Sequence, residues 1–166
     1  MRETFKSHSS YPEQEAAYAR EFWLKVEERE EFRSAGTVLI FMALPDELPT
    51  QEFIDKWREV KCFVIPRVNG SGLELKAYSP DLLIPGYKGI LEPTDEAAGI
   101  NPVDIDLALI PGTAFDREGH RMGRGKGFYD RLLPRLHCPT MAVCQSWRIV
   151  DSVPTDPWDI KIDIIP

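Results

Sequence analysis

Four short runs of apolar residues constrain the fold of this 166-residue chain more than any other feature. A continuous apolar run is typical of a β-strand that is covered on both faces, as in a parallel sheet flanked by helices. A strand with one face in water would instead alternate apolar and polar residues. The predicted buried strands lie within residues 37–44, 61–65, 106–110 and 140–144.

Segments with helical periodicity stand between and beside these strands. They carry apolar residues every three or four positions, with charged residues on the remaining face. Helices that alternate with buried strands favour a three-layer α/β fold, in which a mostly parallel sheet has helices on both faces. The predicted helices are residues 12–32, 51–60 and 127–136, and two further strands are predicted at 73–78 and 160–165.

The chain shows no internal repeat and no composition typical of a linker, so we expect residues 1–166 to form a single domain. A long connection at residues 80–99 is rich in Pro and Gly. Connections of this length in compact domains are usually functional or mobile. Tyr87 and Lys88 in this connection are therefore candidates for lining a substrate cleft, and Arg67 after Pro66 is another.

Charge and composition exclude several classes of function. The net charge of -7 argues against a broad nucleic-acid interface, which needs a basic face. No apolar run approaches membrane-spanning length, and the first residues lack the apolar core of a signal peptide. Cys62, Cys138 and Cys144 lack motif spacing, which fits a reducing compartment. We expect a cytoplasmic monomer that binds neither nucleic acid nor membrane.

The most informative segment follows the third apolar run and combines glycines with basic residues. Gly123, Gly125 and Gly127 alternate with Arg124 and Lys126, directly before a predicted helix. Glycines let backbone N–H groups approach a phosphate closely, and a helix N-terminus adds favourable partial charge. The interleaved Arg and Lys side chains donate charge-assisted hydrogen bonds to phosphate oxygens. The segment therefore predicts a polyphosphate cradle.

Other interpretations of this segment stay open on its pattern alone. It is not a Walker A loop, which needs Gly-Lys followed by Ser or Thr, and its third glycine is one residue early for the dinucleotide fingerprint. Similar Gly/Arg runs occur in flexible loops and RNA-binding tails, although the acidic net charge weakens the RNA interpretation. Asp130 either holds a divalent cation that bridges the phosphates or only compensates the charge of its helix N-terminus.

Three stretches together resemble the 5-formyltetrahydrofolate cyclo-ligase family. The first is Arg121-Met-Gly-Arg-Gly-Lys-Gly-Phe-Tyr-Asp130, preceded by Ile-Pro-Gly-Thr-Ala-Phe-Asp116. The second, Ala43-Leu-Pro-Asp-Glu-Leu-Pro-Thr50, resembles the loop after the family's first strand. The third, Asp156-Pro-Trp-Asp-Ile-Lys-Ile-Asp163, resembles its C-terminal acidic segment. The resemblance implies a fold similar to that of ribose-phosphate isomerases and coenzyme A transferases.

The resemblance also implies a reaction and its site residues. In this family ATP phosphorylates the N5-formyl oxygen of 5-formyltetrahydrofolate, N10 attacks the activated carbon, and phosphate leaves as 5,10-methenyltetrahydrofolate forms. Arg124 would be the catalytic residue beside the transferred phosphoryl group, and Asp130 and Asp159 would hold Mg²⁺. ATP would contact Arg121, Met122, Gly123, Arg124, Gly125, Lys126, Gly127, Phe128 and Tyr129. The folate would contact Met42, Glu47, Arg124, Gly125, Lys126, Gly127 and Phe128.

Simpler interpretations exist for single residues taken without the resemblance. Glu47 alone is typical of a solvated loop acid, and Asp159 of a surface acid. Phe128 and Tyr129 either stack on an aromatic ring of a ligand or anchor the following helix in the core.

The N-terminus departs from the family pattern. Members usually carry a Lys and an Arg one helical turn apart that help to bind ATP, whereas Arg2 and Lys6 have the reversed order here. Two explanations stay open: either the sequence begins after the family's N-terminal helix, or the ATP half of the site is less complete than usual. Two other functions stay open: a non-catalytic relative that binds folate or a nucleotide, and a phosphosugar-handling enzyme on the same fold.

Overall fold

The computed structural model describes residues 12–166, so Arg2 and Lys6 lie outside the described residues. The α-helices are α1 (Pro12–Glu28), α2 (Glu30–Ser34), α3 (Gln51–Trp57) and α4 (Phe128–Leu132). The strands are β1 (Thr37–Leu39), β2 (Cys62–Asn69), β3 (Gly72–Ala77), β4 (Leu83–Pro85), β5 (Leu91–Pro93), β6 (Leu107–Pro111), β7 (Ala114–Asp116), β8 (Arg121–Met122), β9 (Thr140–Val143) and β10 (Ile149–Val150).

A five-stranded sheet in the order β3-β2-β1-β6-β9 forms the centre of this part of the chain. β1 pairs in parallel with both β2 and β6, and β6 pairs in parallel with β9. β3 runs antiparallel, as the hairpin partner of β2. Parallel neighbours need long crossover connections, which the helical segments supply. The predicted α/β architecture with a mostly parallel central sheet is confirmed.

Successive residues of the central strands belong to two different apolar clusters, one on each face of the sheet. Val38 shares a cluster with Phe22 of α1 and Phe53 of α3. Its neighbour Leu39 shares the other cluster with Leu132 of α4. This alternation follows from the two-residue period of a strand. The apolar runs therefore supply both faces, as expected for strands covered on both sides.

All three predicted helices are shorter in the structure, and the one predicted at 51–60 ends at Trp57. The segment 12–32 breaks at Arg29, whose extended backbone separates α1 from α2. The segment 127–136 is α-helical over α4 and continues as the 3-10 turn Leu133–Arg135. Pro134 explains this change, because proline lacks an amide donor and its ring clashes with the carbonyl one turn earlier. With so short a helix, the charge of its N-terminus contributes less to the glycine segment than the sequence suggested.

The last predicted strand and the long connection also differ from expectation. Segment 160–165 contributes one parallel bridge, from Ile164 to Met141 at the edge of the central sheet. The 80–99 connection contains the antiparallel hairpin of β4 and β5. β7 pairs with β8 and β10 in a separate small sheet. Within residues 12–166 no helix is long and apolar enough to cross a membrane.

Candidate active site

A cavity of about 360 Å³ opens beside the central sheet, where β1 and β6 end. Phe41 and Met42 follow β1 on one side, and Pro111 and Gly112 close β6 on the other. In α/β sheets ligands bind outside the carboxyl ends of the strands, where the loops of neighbouring strands diverge. The cavity lies at this position, which makes it the candidate active site.

The structure brings most of the predicted site residues to this cavity. Met122 and Asp159 do not line it. The carbonyl oxygen of Met122 accepts a hydrogen bond from the Thr113 amide at 2.7 Å, so Met122 shapes the loop from behind. The Asp159 carboxylate accepts a hydrogen bond from the Asp156 amide at 2.7 Å within its own turn. The predicted site residues that line it are Met42, Glu47, Arg121, Gly123, Arg124, Gly125, Lys126, Gly127, Phe128, Tyr129 and Asp130.

Residues 121–127, called the glycine loop below, turn along one wall of the cavity. Gly125 and Gly127 have φ values of 96° and 68°, in the left-handed region that side chains other than glycine rarely adopt. The Arg131 side chain donates a hydrogen bond to the Lys126 carbonyl at 2.7 Å and holds the end of the loop. The exposed Arg124 and Lys126 side chains are therefore presented at the cavity by a loop that depends on its glycines.

Arg121 is a buried cation at the start of the glycine loop, with 8% of its side chain exposed. Its Nε donates a hydrogen bond to the Pro111 carbonyl at 2.6 Å, and its guanidinium lies 4.9 Å from the centre of the Tyr129 ring. Burial lowers the pKa of Arg121, against the charges of Tyr129, Asp130 and Glu47. Since arginine remains protonated far above neutral pH, Arg121 supplies a fixed positive charge to the wall.

The two aromatic residues after the glycine loop have different surroundings. Phe128 packs edge-on against Tyr87, with ring centres 5.8 Å apart, and so joins the glycine loop to the 80–99 connection. Burial raises the pKa of Tyr129, which keeps its phenol neutral beside Arg121. Both side chains are half-buried and line the cavity. They are therefore available to a ligand while also anchoring α4.

Glu47 is not a solvated loop acid, because only 11% of its side chain is exposed. One carboxylate oxygen accepts a hydrogen bond from the Leu44 amide at 2.8 Å. The other lies 3.4 Å from Nη2 of Arg124. Glu47 thus places a largely buried carboxylate in the cavity wall, next to Arg124 of the glycine loop.

Sequence reasoning missed a buried arginine just after β9. Arg148 is 3% exposed and donates hydrogen bonds to the carbonyl oxygens of Asp46 at 2.7 Å and Thr113 at 3.0 Å. Its Nε donates to Gln145 at 2.8 Å. Its position after a buried strand, at the sheet edge where the cavity lies, could have indicated that Arg148 belongs near the site. No motif spacing marked it.

The 80–99 connection supplies the outer wall, as its length suggested. Tyr87 and Lys88 line the cavity as predicted, and so does Glu92, whereas Arg67 is not part of the lining. Glu92 is 8% exposed, and a Cβ atom on Gly86 would clash with its side chain. A side chain at position 86 would therefore require Glu92 to move.

The loop before the glycine loop is fixed by a buried carboxylate. Asp116 is 2% exposed and accepts hydrogen bonds from the amides of Glu118, His120 and Val153, at 2.9 to 3.0 Å. Nδ1 of His120 lies 2.9 Å from the same carboxylate. Burial alone raises the pKa of Asp116, but the hydrogen bonds from Val153 and His120 outweigh it and hold the pKa below its usual value. We call residues 116–120 the anchor turn.

Mg²⁺ requires oxygen ligands, which carboxylates at the cavity can supply. Magnesium in phosphate-transferring sites is held by one or two carboxylates together with substrate phosphates. Asp130 fits this role, because its side chain is 58% exposed and lines the cavity beside the basic residues. Among residues 12–166 no group of three His, Cys, Asp or Glu side chains is placed to hold a metal ion by itself. A metal site here would therefore need oxygen atoms from the ligand.

The chain is similar to a known family of proteins. Residues 3–166 match the model of the 5-formyltetrahydrofolate cyclo-ligase family. The 5-formyltetrahydrofolate cyclo-ligase of Escherichia coli (strain K12) is 31% identical over 140 residues, which cover 79% of this chain and 77% of that protein. The mouse (Mus musculus) 5-formyltetrahydrofolate cyclo-ligase is 28% identical over 155 residues, covering 84% of this chain and 76% of that protein.

Solved structures agree with the sequence comparison. The 5,10-methenyltetrahydrofolate synthetase of Aquifex aeolicus superposes with a TM-score of 0.84 at 31% identity, covering 93% of this chain and 80% of that one. The synthetase of Mycoplasma pneumoniae has the same fold, with a TM-score of 0.76 at 21% identity, covering 96% of this chain and 90% of that one. The chain therefore belongs to the 5-formyltetrahydrofolate cyclo-ligase family.

Proposed function

We propose that this chain catalyses the ATP- and Mg²⁺-dependent cyclisation of 5-formyltetrahydrofolate to 5,10-methenyltetrahydrofolate, with release of ADP and phosphate. One observation carries the proposal beyond the names of its relatives. A single cavity joins a basic glycine loop to a wall of apolar residues and buried carboxylates. Such a cavity accommodates a polyphosphate and a ring system rich in N–H donors side by side.

The glycine loop is proposed to hold the phosphates of ATP. Arg124 and Lys126 supply exposed positive charge, while Arg121, whose side chain is buried, supplies a fixed one. The site residues for ATP are proposed to be Arg121 to Tyr129, with Met122 acting through its backbone. Phosphoryl transfer depends mainly on positioning and on neutralising charge, which these side chains provide.

The part of the cavity lining outside the glycine loop is proposed to hold the folate. Met42 contributes an apolar contact, Phe128 a ring face, and Glu47 a buried acceptor for N–H groups of the pterin. A buried acceptor of this kind favours a substrate with matching donors, because an unpaired carboxylate in the cavity is costly. Arg124, Gly125, Lys126 and Gly127 also line the cavity and are proposed to contact both substrates.

The proposed reaction needs no nucleophilic side chain. The formyl oxygen attacks the γ-phosphorus of ATP, and the bond to the β-γ bridging oxygen breaks, releasing ADP. N10 then attacks the formyl carbon, loses its proton, and the C–O bond breaks to release phosphate. Arg124 is the proposed catalytic residue, because a guanidinium beside the transferred group stabilises the charge that develops on its oxygens.

Asp130 and Asp159 are proposed as the protein ligands of Mg²⁺. Asp130 fits through its exposed carboxylate on the cavity wall. Asp159 belongs to the C-terminal turn, where its carboxylate is held by the Asp156 amide. The bound ion would neutralise phosphate charge beside the basic residues of the glycine loop.

Finer features of the protein are also part of the proposal. The three-layer arrangement is proposed to be the fold of ribose-phosphate isomerases and coenzyme A transferases, in one domain acting as a monomer. We propose that the protein works in the cytoplasm, which its free thiols at Cys62, Cys138 and Cys144 support. The net charge of -7 supports a small-molecule substrate over a nucleic acid.

The test is a turnover measurement on the purified chain with ATP, MgCl₂ and 5-formyltetrahydrofolate. We expect the near-ultraviolet absorbance of the methenyl product to rise, with ADP released in equal amount. Folate binding without either product would instead indicate a non-catalytic relative. Thermal stabilisation by sugar phosphates but not by ATP would indicate a phosphosugar enzyme.

A further inference from the structure

Arg124 takes part in a row of alternating charges that extends into the protein. Nη2 of Arg124 lies 2.9 Å from both carboxylate oxygens of Asp46. One of these oxygens, Oδ2, lies 3.3 Å from Nη2 of the buried Arg148. We call the row Arg124, Asp46 and Arg148 the arginine bridge.

The inner end of the arginine bridge is rigid. The Arg148 guanidinium contacts loops that follow three neighbouring parallel strands: Asp46 after β1, Thr113 after β6 and Gln145 after β9. Gln145 also donates a hydrogen bond to the Asp46 carbonyl at 3.1 Å. A buried guanidinium that fills its donors in this way fixes the position of each acceptor, because leaving any of them unpaired is costly.

The outer end of the bridge would be weak by itself. The Asp46 and Arg124 side chains are 54% and 37% exposed, and exposed pairs of this kind contribute little to stability. Burial alone raises the pKa of Asp46, but its bond to Arg124 and the charges of Arg124 and Arg148 lower it, so it remains ionised. The pair of Asp46 and Arg124 is therefore suited to positioning Arg124 rather than to stabilising the fold, because the backbone of Asp46 is held by Arg148 and Gln145.

The contacts of Arg124 leave most of its guanidinium for a ligand. Within residues 12–166 its hydrogen bonds to Asp46 and Glu47 all use Nη2. One edge of the planar group is thereby held, while Nε and Nη1 remain for phosphate oxygens. Catalysis by a positioned cation is sensitive to such placement, because a shift of about 1 Å costs on the order of 10²-fold in rate.

We propose that Asp46 is a positioning residue that sets the Arg124 guanidinium for phosphoryl transfer, and that Arg148 fixes Asp46 for this task. The proposal rests on the proposed function, in which Arg124 acts on the transferred phosphoryl group. It adds to the site two residues that do not touch the reacting atoms.

The first experiment replaces Asp46 by Asn, which keeps the shape of the side chain and removes its charge. We expect kcat to fall about 10- to 100-fold, with KM for 5-formyltetrahydrofolate and the thermal unfolding midpoint nearly unchanged. The matched control is Asp55→Asn, which removes an exposed contact of 3.9 Å between Asp55 and Arg58 outside the cavity lining and leaves kcat unchanged. A normal kcat in Asp46→Asn would overturn the proposal.

The second experiment is a double-mutant cycle with Arg124→Ala, which separates positioning from a general structural effect. If Asp46 acts through Arg124, then Asp46→Asn has no further effect on kcat in the Arg124→Ala background. An equal loss in both backgrounds would overturn the proposal. If Asp46→Asn does not fold, the same cycle is measured with Asp46→Ser.

The same cycle read on ATP binding keeps the two proposals distinguishable. Calorimetric titration with Mg-ATP gives Kd for the wild type, both single variants and the double variant. A wild type that binds ATP without turnover refutes the proposed function, and non-additive Kd values then still support the arginine bridge. Additive Kd values in that case, or no ATP binding by the wild type, overturn it.

Discussion

The segment from Pro111 to Asp130 contains two halves with opposite designs. In the first, the Asp116 carboxylate of the anchor turn is 2% exposed and its oxygens are filled by backbone amides and His120. In the second, the glycine loop leaves Arg124 and Lys126 exposed at a cavity. One contiguous segment thus joins an anchor turn whose carboxylate is fully hydrogen-bonded to a loop whose basic side chains are accessible to a ligand.

The difference between the halves follows from what each polar group does. A buried carboxylate is stable only when donors surround it, and the anchor turn supplies them within a few residues. Phosphate-binding groups must instead keep donors available to the ligand. Changes in the anchor turn should therefore act through folding, whereas changes in the glycine loop should act at nearly constant stability.

Arg124→Ala should produce the largest effect of the variants considered. Loss of the guanidinium is expected to lower kcat/KM about 10³-fold, because it removes stabilisation of the transferred group. Steady-state turnover measures the loss, and circular dichroism should show an unfolding midpoint close to that of the wild type. Arg58→Ala, at a surface arginine next to α3, is the control and should keep full activity. Equal stability with normal turnover would remove Arg124 from the mechanism.

Asp116→Asn should mainly affect stability. One acceptor oxygen becomes an amide donor facing the other donors of the anchor turn, at a cost of roughly 2–4 kcal/mol in the free energy of unfolding. Urea denaturation measures the cost, with Asp104→Asn at an exposed position as the control. Activity per folded molecule should be largely retained. A variant of normal stability that has lost its activity would contradict the division into two halves.

The contribution of Asp116 should also depend on pH. Because its pKa is lowered in the folded state, its stabilisation is complete above the pKa of the unfolded chain, about 3.9, and is lost as pH falls towards the folded pKa. The difference in unfolding free energy between wild type and Asp116→Asn should shrink as the pH falls below about 4. If this difference in unfolding free energy grew below about pH 4, the pKa of Asp116 would be raised in the folded state and not lowered.

Gly125→Ala should have a smaller effect on stability than Asp116→Asn. Gly125 has a φ of 96° and open space around its Cβ position, so the cost is backbone strain alone, about 1 kcal/mol. Gly72→Ala is the matched control, since its Cβ position is also open and its φ is not positive. The Gly125 variant should bind ATP several-fold more weakly, because the loop turns differently. Equal behaviour of the two variants would show that the left-handed turn is not needed.

The central sheet was predictable from sequence because burial on both faces leaves continuous apolar runs, as at residues 106–110. The glycine loop was predictable because its residue types carry their chemistry locally. Arg148 and Asp46 were not, since their roles arise from loops that follow different strands and meet only in three dimensions. The burial of Glu92 was missed for the same reason. The length of α4 was overestimated although Pro134 marked its end.

Backbone amide hydrogen exchange tests the division between anchor and binding surface most directly. Residues 112–120 and 121–127 would be followed in the wild-type chain, with and without Mg-ATP and 5-formyltetrahydrofolate. We expect exchange in 112–120 to be slow in both conditions, and exchange in 121–127 to slow markedly when the ligands bind. If the ligands slowed exchange elsewhere and left 121–127 unchanged, the glycine loop would not be the binding surface.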